Sequence, residues 1–355
     1  MEGNKKFFVA LAIFLGMMNS GSAQSSTTLV PAVFTFGDST MDVGNNNFLD
    51  SDFKANFPPY GRDFMNHTPT GRFCNGKLPT DFAVETLGFT TYPLPYLSPQ
   101  ATGKNLLIGA GFASAGSGYS DQTTKLYHAI SLSQQLKYFK EYQSELVLLV
   151  GRRKAYSIIK GALYVLGTGT GDFVQNYYIN RKLRKLYSVN AFSDLLAREL
   201  SKFIKGLHSL GARRIGITSL SPLGCLPANI RAFGHGRKTC VTRLNEDAKT
   251  FNRKLNQTVL ALARELAKLK IAVVDIYQPI YDLATAPSKQ GFVEAKRGCC
   301  KTGSSVKTSV LCIPKSISAC SNSTSYVFWD SVHPSEAANK FIAESLAIGG
   351  IYLVS

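Results

Sequence analysis

The chain has 355 residues, 45% of them hydrophobic and 18% charged, a mix that builds a full core and excludes an intrinsically disordered protein. Its 40 lysines and arginines outnumber 23 acidic residues, for a net charge of +17. No Gly-X-Y period, heptad run or longer repeat is present, which excludes fibrous and solenoid architectures.

The first feature along the chain is the apolar run from Phe7 to Met18, with Lys5 and Lys6 before it and Gly21-Ser22-Ala23 after it. It is short for a bilayer span and has the charged start and small-residue end of a secretory signal peptide. Residues 1–23 are therefore expected to be cleaved after Ala23, leaving 24–355 as a single domain. Ala32 to Phe36 reads as a buried strand, ended by Gly37-Asp38-Ser39. Residues 45–80, rich in Asn, Pro, Gly and Asp, read as loop. Asn105 to Gly118 reads as a short strand followed by a tight Gly/Ser loop, and Ile130 to Leu149 has helical periodicity.

A second strand spans Ala162 to Leu166 and runs into Gly167-Thr168-Gly169-Thr170-Gly171-Asp172. An amphipathic helix is predicted over Phe192 to Leu210 and a strand over Arg214 to Leu220. A long helix follows over Val241 to Leu269, with Leu244, Ala248, Phe251 and Leu255 on one stripe. Ile271 to Ile276 is the next strand, and Ser335 to Ala347 is a last helix with Pro334 just before it. Such alternation predicts an α/β fold with one parallel sheet covered on both faces, whose sites lie at the carboxyl ends of the strands. Ser39, Gly116 and Gly171-Asp172 sit at or near such ends.

Export would expose seven cysteines to an oxidising compartment, six of them in the C-terminal half. Disulfides are expected between Cys225 and Cys240 and, as two bridges of open connectivity, among Cys299, Cys300, Cys312 and Cys320. Cys74 is left as a free or buried thiol. A zinc site is disfavoured, because there is no CxxC spacing and no nearby histidine. Sequons at Asn66, Asn256 and Asn322 are candidate glycosylation sites.

A strand, a Gly-containing turn and a following helix would lift the Ser39 hydroxyl from the top of the sheet, at a helix N-terminus that favours negative charge. A plain helix N-cap is the bland alternative. A serine nucleophile needs a base, and the chain has five histidines. His333 lies in Asp330-Ser331-Val332-His333-Pro334, where the carboxylate three residues ahead can hold the imidazole Nδ1–H. A pair that merely caps the last helix is the alternative, but Asp330 is too far ahead of Ser335 for that. His67 lies in a sequon, and His128, His208 and His235 lack an acidic neighbour to orient them.

The stretch from Phe36 to Asn47, FGDSTMDVGNNN, resembles the first block of the plant GDSL esterase/lipase family, in the SGNH hydrolase superfamily, with Thr40 where leucine is usual. Gly109 to Gly118 resembles the second block, Gly169 to Phe173 the third, and Phe328-Trp329-Asp330-Ser331-Val332-His333-Pro334 the fifth. The blocks occur in family order, and the resemblance runs from about Val33 to the C-terminus. It implies a flavodoxin-like three-layer α/β/α fold and a Ser-His-Asp acyl hydrolase. Ser39 would be the nucleophile, His333 the general base and Asp330 its orienting carboxylate. The backbone N–H groups of Ser39 and Gly116 would form part of the oxyanion hole, while Asp38 and Asp172 would brace the turns.

The resemblance also marks a departure. The third block usually carries an asparagine whose amide donates to the oxyanion, and Gly171 stands there; Gly111 similarly replaces Asn or Ser in the second block. Losing one such donor typically costs about 10²–10³ in rate, so a slow hydrolase is expected unless a water or the Thr170 hydroxyl fills the gap.

The expected function is a secreted ester hydrolase of the cell wall or apoplast, acting on ester or lipid substrates through an acyl-enzyme. Neither a metal nor an organic cofactor is called for. The alternative is a weak or inactive extracellular protein that binds lipid or polysaccharide. The glycines at 167, 169 and 171 are misplaced for a dinucleotide loop. The basic runs at 152–154 and 181–185 read as solvated surface that could attract acidic wall polysaccharide or anionic lipid, and carry no nucleic-acid motif.

Overall fold

The computed structural model describes residues 28–303, 310–314 and 319–355. The expected signal segment, residues 1–23, lies outside them. Among the described residues the main sheet has six strands, β1 (Val33–Gly37), β2 (Leu94–Pro95), β3 (Gly109–Gly111), β4 (Leu163–Gly167), β5 (Arg214–Thr218) and β6 (Lys270–Val274). Their spatial order is β2-β3-β1-β4-β5-β6 and every pairing is parallel. All carboxyl ends therefore open on one edge.

β1 is buried along its whole length, and its alternation assigns the two layers. Phe34 and Phe36 face one side. There they meet Phe139 and, for Phe34, Tyr142 of one helix (Leu132–Val150), while Phe36 also meets Phe203 of a second (Val189–Ser209). The long helix Thr242–Glu265 completes that layer, burying the stripe read from the sequence. Val33 faces the other side, in a cluster with Val84 and Leu163 and with Leu353 of the last helix. That layer is built from α1 (Pro79–Thr86) and the C-terminal helix Glu336–Val354. The result is the three-layer α/β/α arrangement that the resemblance implies.

The last helix runs well past its expected end at Ala347. It continues through Gly349 and Gly350, and a Cβ at Gly349 would sit only 3.1 Å from Val274 Cγ1, so that glycine serves close packing on β6. The helix Arg152–Gly161 is not legible as one in the sequence. It buries Ala155, Ile158 and Ile159 and presents Arg152, Arg153 and Lys154 to solvent. The second basic run forms the short helix Arg181–Leu186, exposed except at Leu183.

Beyond the main sheet, β7 (Glu294–Gly298) pairs in parallel with β8 (Tyr326–Phe328). Disulfides join Cys299 to Cys320, Cys300 to Cys312 and Cys225 to Cys240, and Cys74 is free and buried. The first two bridges belong to a separate apolar cluster with Phe53, Tyr60, Phe73 and Trp329. Among the described residues no helix is long and apolar enough to cross a membrane.

Candidate active site

The turn that carries Ser39 is pinned from three sides. Gly37 has φ +123°, and a Cβ there would collide with the Gly167 carbonyl of the neighbouring strand. The Gln135 carboxamide pairs with both backbone groups of Gly37, donating to its oxygen at 3.0 Å and accepting from its nitrogen at 2.9 Å. Asp38 N–H donates to the Gly167 oxygen at 3.0 Å, and the Asp38 carboxylate accepts from the Thr40 N–H and hydroxyl at 3.0 and 2.9 Å. Burial pushes the Asp38 carboxyl above its usual range. The expected helix after Ser39 is absent: residues 39–41 form a turn, and a short 3-10 segment begins only at Asn45. Compact turn hydrogen bonds hold this position instead, so no helix dipole is aimed at Ser39.

The loop after β3 is fastened to the first block by side chains whose roles the sequence did not disclose. Asn45 Nδ2 donates to the carbonyls of Gly111 and Ala113, and Asn46 Nδ2 to those of Phe53 and Ala115. Asp42 accepts from the N–H groups of Gly44, Asn45 and Ala115, and burial raises its carboxyl to about 6. This clamp sets Gly116, at φ +86°, beside Ser39 in one small cavity. Among the described residues neither the Ser39 nor the Gly116 N–H is committed to an acceptor. Asp172 braces the third loop, accepting from Tyr119 N–H at 2.8 Å, Ser120 N–H at 3.2 Å and the Thr123 hydroxyl at 2.6 Å. Burial lifts that carboxyl to about 7. Gly171 lines the same cavity with helical backbone, φ −62° and ψ −38°.

From the far end of the chain, His333 Nε2 lies 2.7 Å from Ser39 Oγ. Its Nδ1 lies 2.8 Å from Asp330 Oδ2, and the other Asp330 oxygen accepts the N–H groups of Val332 and His333 at 2.8 and 2.7 Å. Both side chains are buried. Ser335 caps the last helix, accepting from Ala338 N–H, so Asp330 is left to the imidazole. Tyr60, which sequence reasoning missed, donates its hydroxyl to Asp330 Oδ2 at 2.8 Å and accepts the Cys312 N–H at 3.1 Å. Burial, and then the Asp330 carboxylate, hold the Tyr60 hydroxyl well above its usual range, so it stays a donor. No local pattern could have linked residues 270 positions apart.

The structure thus brings Ser39, His333, Asp330, Gly116 and Gly171 together. Asn66, Asn256 and Asn322 are all exposed and distributed elsewhere. An apolar cleft lined by Met41, Leu78, Leu220, Ile276, Ile280 and Leu346 opens beside Ser39 and His333. A hydroxyl facing an imidazole held by a carboxylate, with two free N–H groups beside it, is equipped for acyl transfer.

The family model described as GDSL-like Lipase/Acylhydrolase matches residues 33–346. The chain belongs to this family. A GDSL esterase/lipase of Arabidopsis thaliana named APG is 58% identical over 330 residues, 93% of this chain and 94% of the relative. A second GDSL esterase/lipase of the same plant is 58% identical over 92% of this chain and 91% of its own length, and a third 52% identical over 98% and 97%. The match to the GDSL family spans every strand of the main sheet, from β1 to β6, and the loop that carries Asp330 and His333.

Proposed function

We propose that this GDSL family member is an ester hydrolase working through an acyl-enzyme on Ser39. The observation that carries the reading is the continuous chain from Ser39 Oγ to His333 Nε2, at 2.7 Å, and from His333 Nδ1 to Asp330, at 2.8 Å. His333 takes the Ser39 proton as the hydroxyl oxygen attacks the ester carbonyl. The oxyanion is received by the Ser39 and Gly116 N–H groups. His333 then protonates the leaving alcohol, and finally activates the water that releases the acid. The apolar cleft accommodates the acyl chain, so medium-chain esters are preferred over acetates.

Gly171 contributes no side-chain donor, so turnover depends on what else stands at that position. Esterase/lipase relatives and the aligned Ser39–His333 pair disfavour a purely lipid- or polysaccharide-binding role. Export to the cell exterior is part of the reading. It is supported by three disulfides, the exposed sequons at Asn66, Asn256 and Asn322, and the leader-like residues 1–23. An acidic polysaccharide partner finds no support in the relatives, and none is proposed.

The test is hydrolysis of p-nitrophenyl esters of graded acyl length by the purified protein, combined with labelling by a fluorophosphonate probe. Turnover and stoichiometric labelling, both abolished in Ser39→Ala, are expected. Labelling or turnover that survives in Ser39→Ala would overturn the reading.

A further inference from the structure

Gly171 removes a side chain from the cavity beside Ser39, but the space is not left empty. A Cβ built on Gly171 would come within 2.9 Å of Gln175 Oε1, with Ser117 O at 3.4 Å and Thr123 Cγ2 at 3.5 Å as its next neighbours. The end of the Gln175 carboxamide therefore occupies the path that a residue-171 side chain would take. The cause is helical geometry. Gly171 has helical φ and ψ at the start of the π-helical segment Asp172–Tyr177. Side chains four apart share a helix face and lean toward its N-terminus. With glycine at 171 the long carboxamide at 175 has room to fold back over that position.

Two further observations point at the reaction. Gln175 lines the cavity together with Ser39, Gly116 and His333. Its backbone is engaged, with its carbonyl accepting from the Tyr127 hydroxyl at 3.3 Å, yet its carboxamide has no hydrogen-bond partner among the described residues. The site thus holds an uncommitted amide donor beside two uncommitted N–H groups. The two ends of a carboxamide exchange by a half-turn about its last torsion, which turns the NH₂ group toward an oxyanion.

We propose that Gln175 supplies from one turn further along the side-chain oxyanion donor that Gly171 lacks. This rests on the acyl-enzyme reading above and changes what Gly171 means: the amide is relocated rather than lost. Thr170, which borders the same cavity, is the rival donor.

The experiment measures kcat and KM on a p-nitrophenyl ester, and inhibition by an alkylboronic acid that mimics the tetrahedral intermediate. The proteins compared are wild type, Gln175→Ala, Gln175→Glu, Gly171→Asn, Gly171→Asn with Gln175→Ala, and Thr170→Val. Gln175→Ala should lower kcat about 10²-fold and weaken the boronic acid in parallel, with KM changed less than about twofold. Gln175→Glu keeps the shape and loses the donor, so it carries the same test if the alanine variant fails to fold. Gly171→Asn alone should change kcat less than about threefold, because the new amide displaces the old one. In the Gln175→Ala background it should recover at least about tenfold. Equal gains from Gly171→Asn in both backgrounds, an unchanged kcat in Gln175→Ala, or a loss confined to Thr170→Val would each overturn the proposal. A wild-type protein that neither turns over esters nor reacts with fluorophosphonate would instead overturn the acyl-enzyme reading, and this proposal with it. An active, labelled wild type with an indifferent Gln175→Ala overturns the proposal alone.

Discussion

The site is assembled from two halves held by different physics. Ser39 stands on the main sheet, in a turn fixed by the Gly167 carbonyl, the Gln135 carboxamide and the Asp38 carboxylate. Asp330 and His333 stand on a loop after the two-stranded β7–β8 sheet, in a small cluster cross-linked by Cys299–Cys320 and Cys300–Cys312. The sheet half draws rigidity from a large aromatic core around Phe34 and Phe36. The loop half packs a smaller apolar cluster and adds covalent bridges to it. Within that half Tyr60 ties the base to the bridges, since its hydroxyl touches both Asp330 and the backbone of Cys312. A serine and a base can therefore be displaced relative to one another by treatments that leave the sheet folded.

The largest effect should come from breaking either half outright. Ser39→Ala and His333→Ala should each lower kcat by about 10⁵–10⁶, and the double variant should be no worse than either single one, because the residues act as a unit. Steady-state kinetics on the same ester give the comparison. Additive losses would mean that the two halves act independently, against the hydrogen-bonded chain between them.

A smaller effect should follow from loosening only the loop half. Cys300→Ser with Cys312→Ser removes the bridge beside Tyr60. Such bridges contribute about 2–4 kcal/mol, and a displacement of His333 by about 1 Å would cost about 10² in kcat. Far-ultraviolet circular dichroism should stay near wild type while activity falls. Full activity in the unbridged variant would show that the cluster holds its shape without the covalent link. Smaller again is Tyr60→Phe. It deletes one hydrogen bond to a carboxylate and orphans the Cys312 N–H, which should lower kcat about tenfold with KM nearly unchanged. A change confined to thermal stability would make Tyr60 a packing residue.

The same division governs what could be read from the sequence. Periodicity located β1, β4, β5 and β6 to within two residues at either end, because each strand is a compact apolar run before a glycine or polar turn. The blocks around Ser39, Gly116, Gly171 and His333 were legible through their resemblance to a known family, whose motifs are short and local; only the Ser39 turn and the Asp330–His333 spacing could be read from the residues alone. What escaped was set by distance or by absence. Tyr60 meets Asp330 across 270 positions, and Gln175 matters through a side chain that Gly171 does not have. The helix expected after Ser39 was an error of a different kind: the hydrogen bonds from Thr40 to the Asp38 carboxylate and from Gly44 and Asn45 to Asp42 give the backbone partners that a helix would otherwise supply. The end expected for the last helix, Ala347, erred in the opposite sense: the helix runs on to Val354, with Gly349 as a contact surface against Val274.

The smallest expected effect separates the halves by pH. Besides Asp38, which burial also raises, two buried carboxyls brace the sheet half: Asp42, raised by burial to about 6, and Asp172, raised by burial to about 7. In the unfolded chain both titrate near 3.8. Between about pH 4 and 7 the folded protein therefore binds more protons than the unfolded one, and stability must fall as pH rises through that window. Their contribution is fully present below pH 4 and lost above 7. The loss should be on the order of several degrees in Tm between pH 5 and pH 8, measured by differential scanning calorimetry at constant ionic strength. Asp172→Asn should flatten the slope between pH 5 and 8, because residue 172 then no longer titrates. The unbridged Cys300→Ser, Cys312→Ser protein should keep the wild-type slope at a lower Tm, because its lesion lies in the half that holds neither carboxyl. A slope that changes with the bridge and not with Asp172 would reverse the assignment of proton-sensitive and thiol-sensitive support to the two halves.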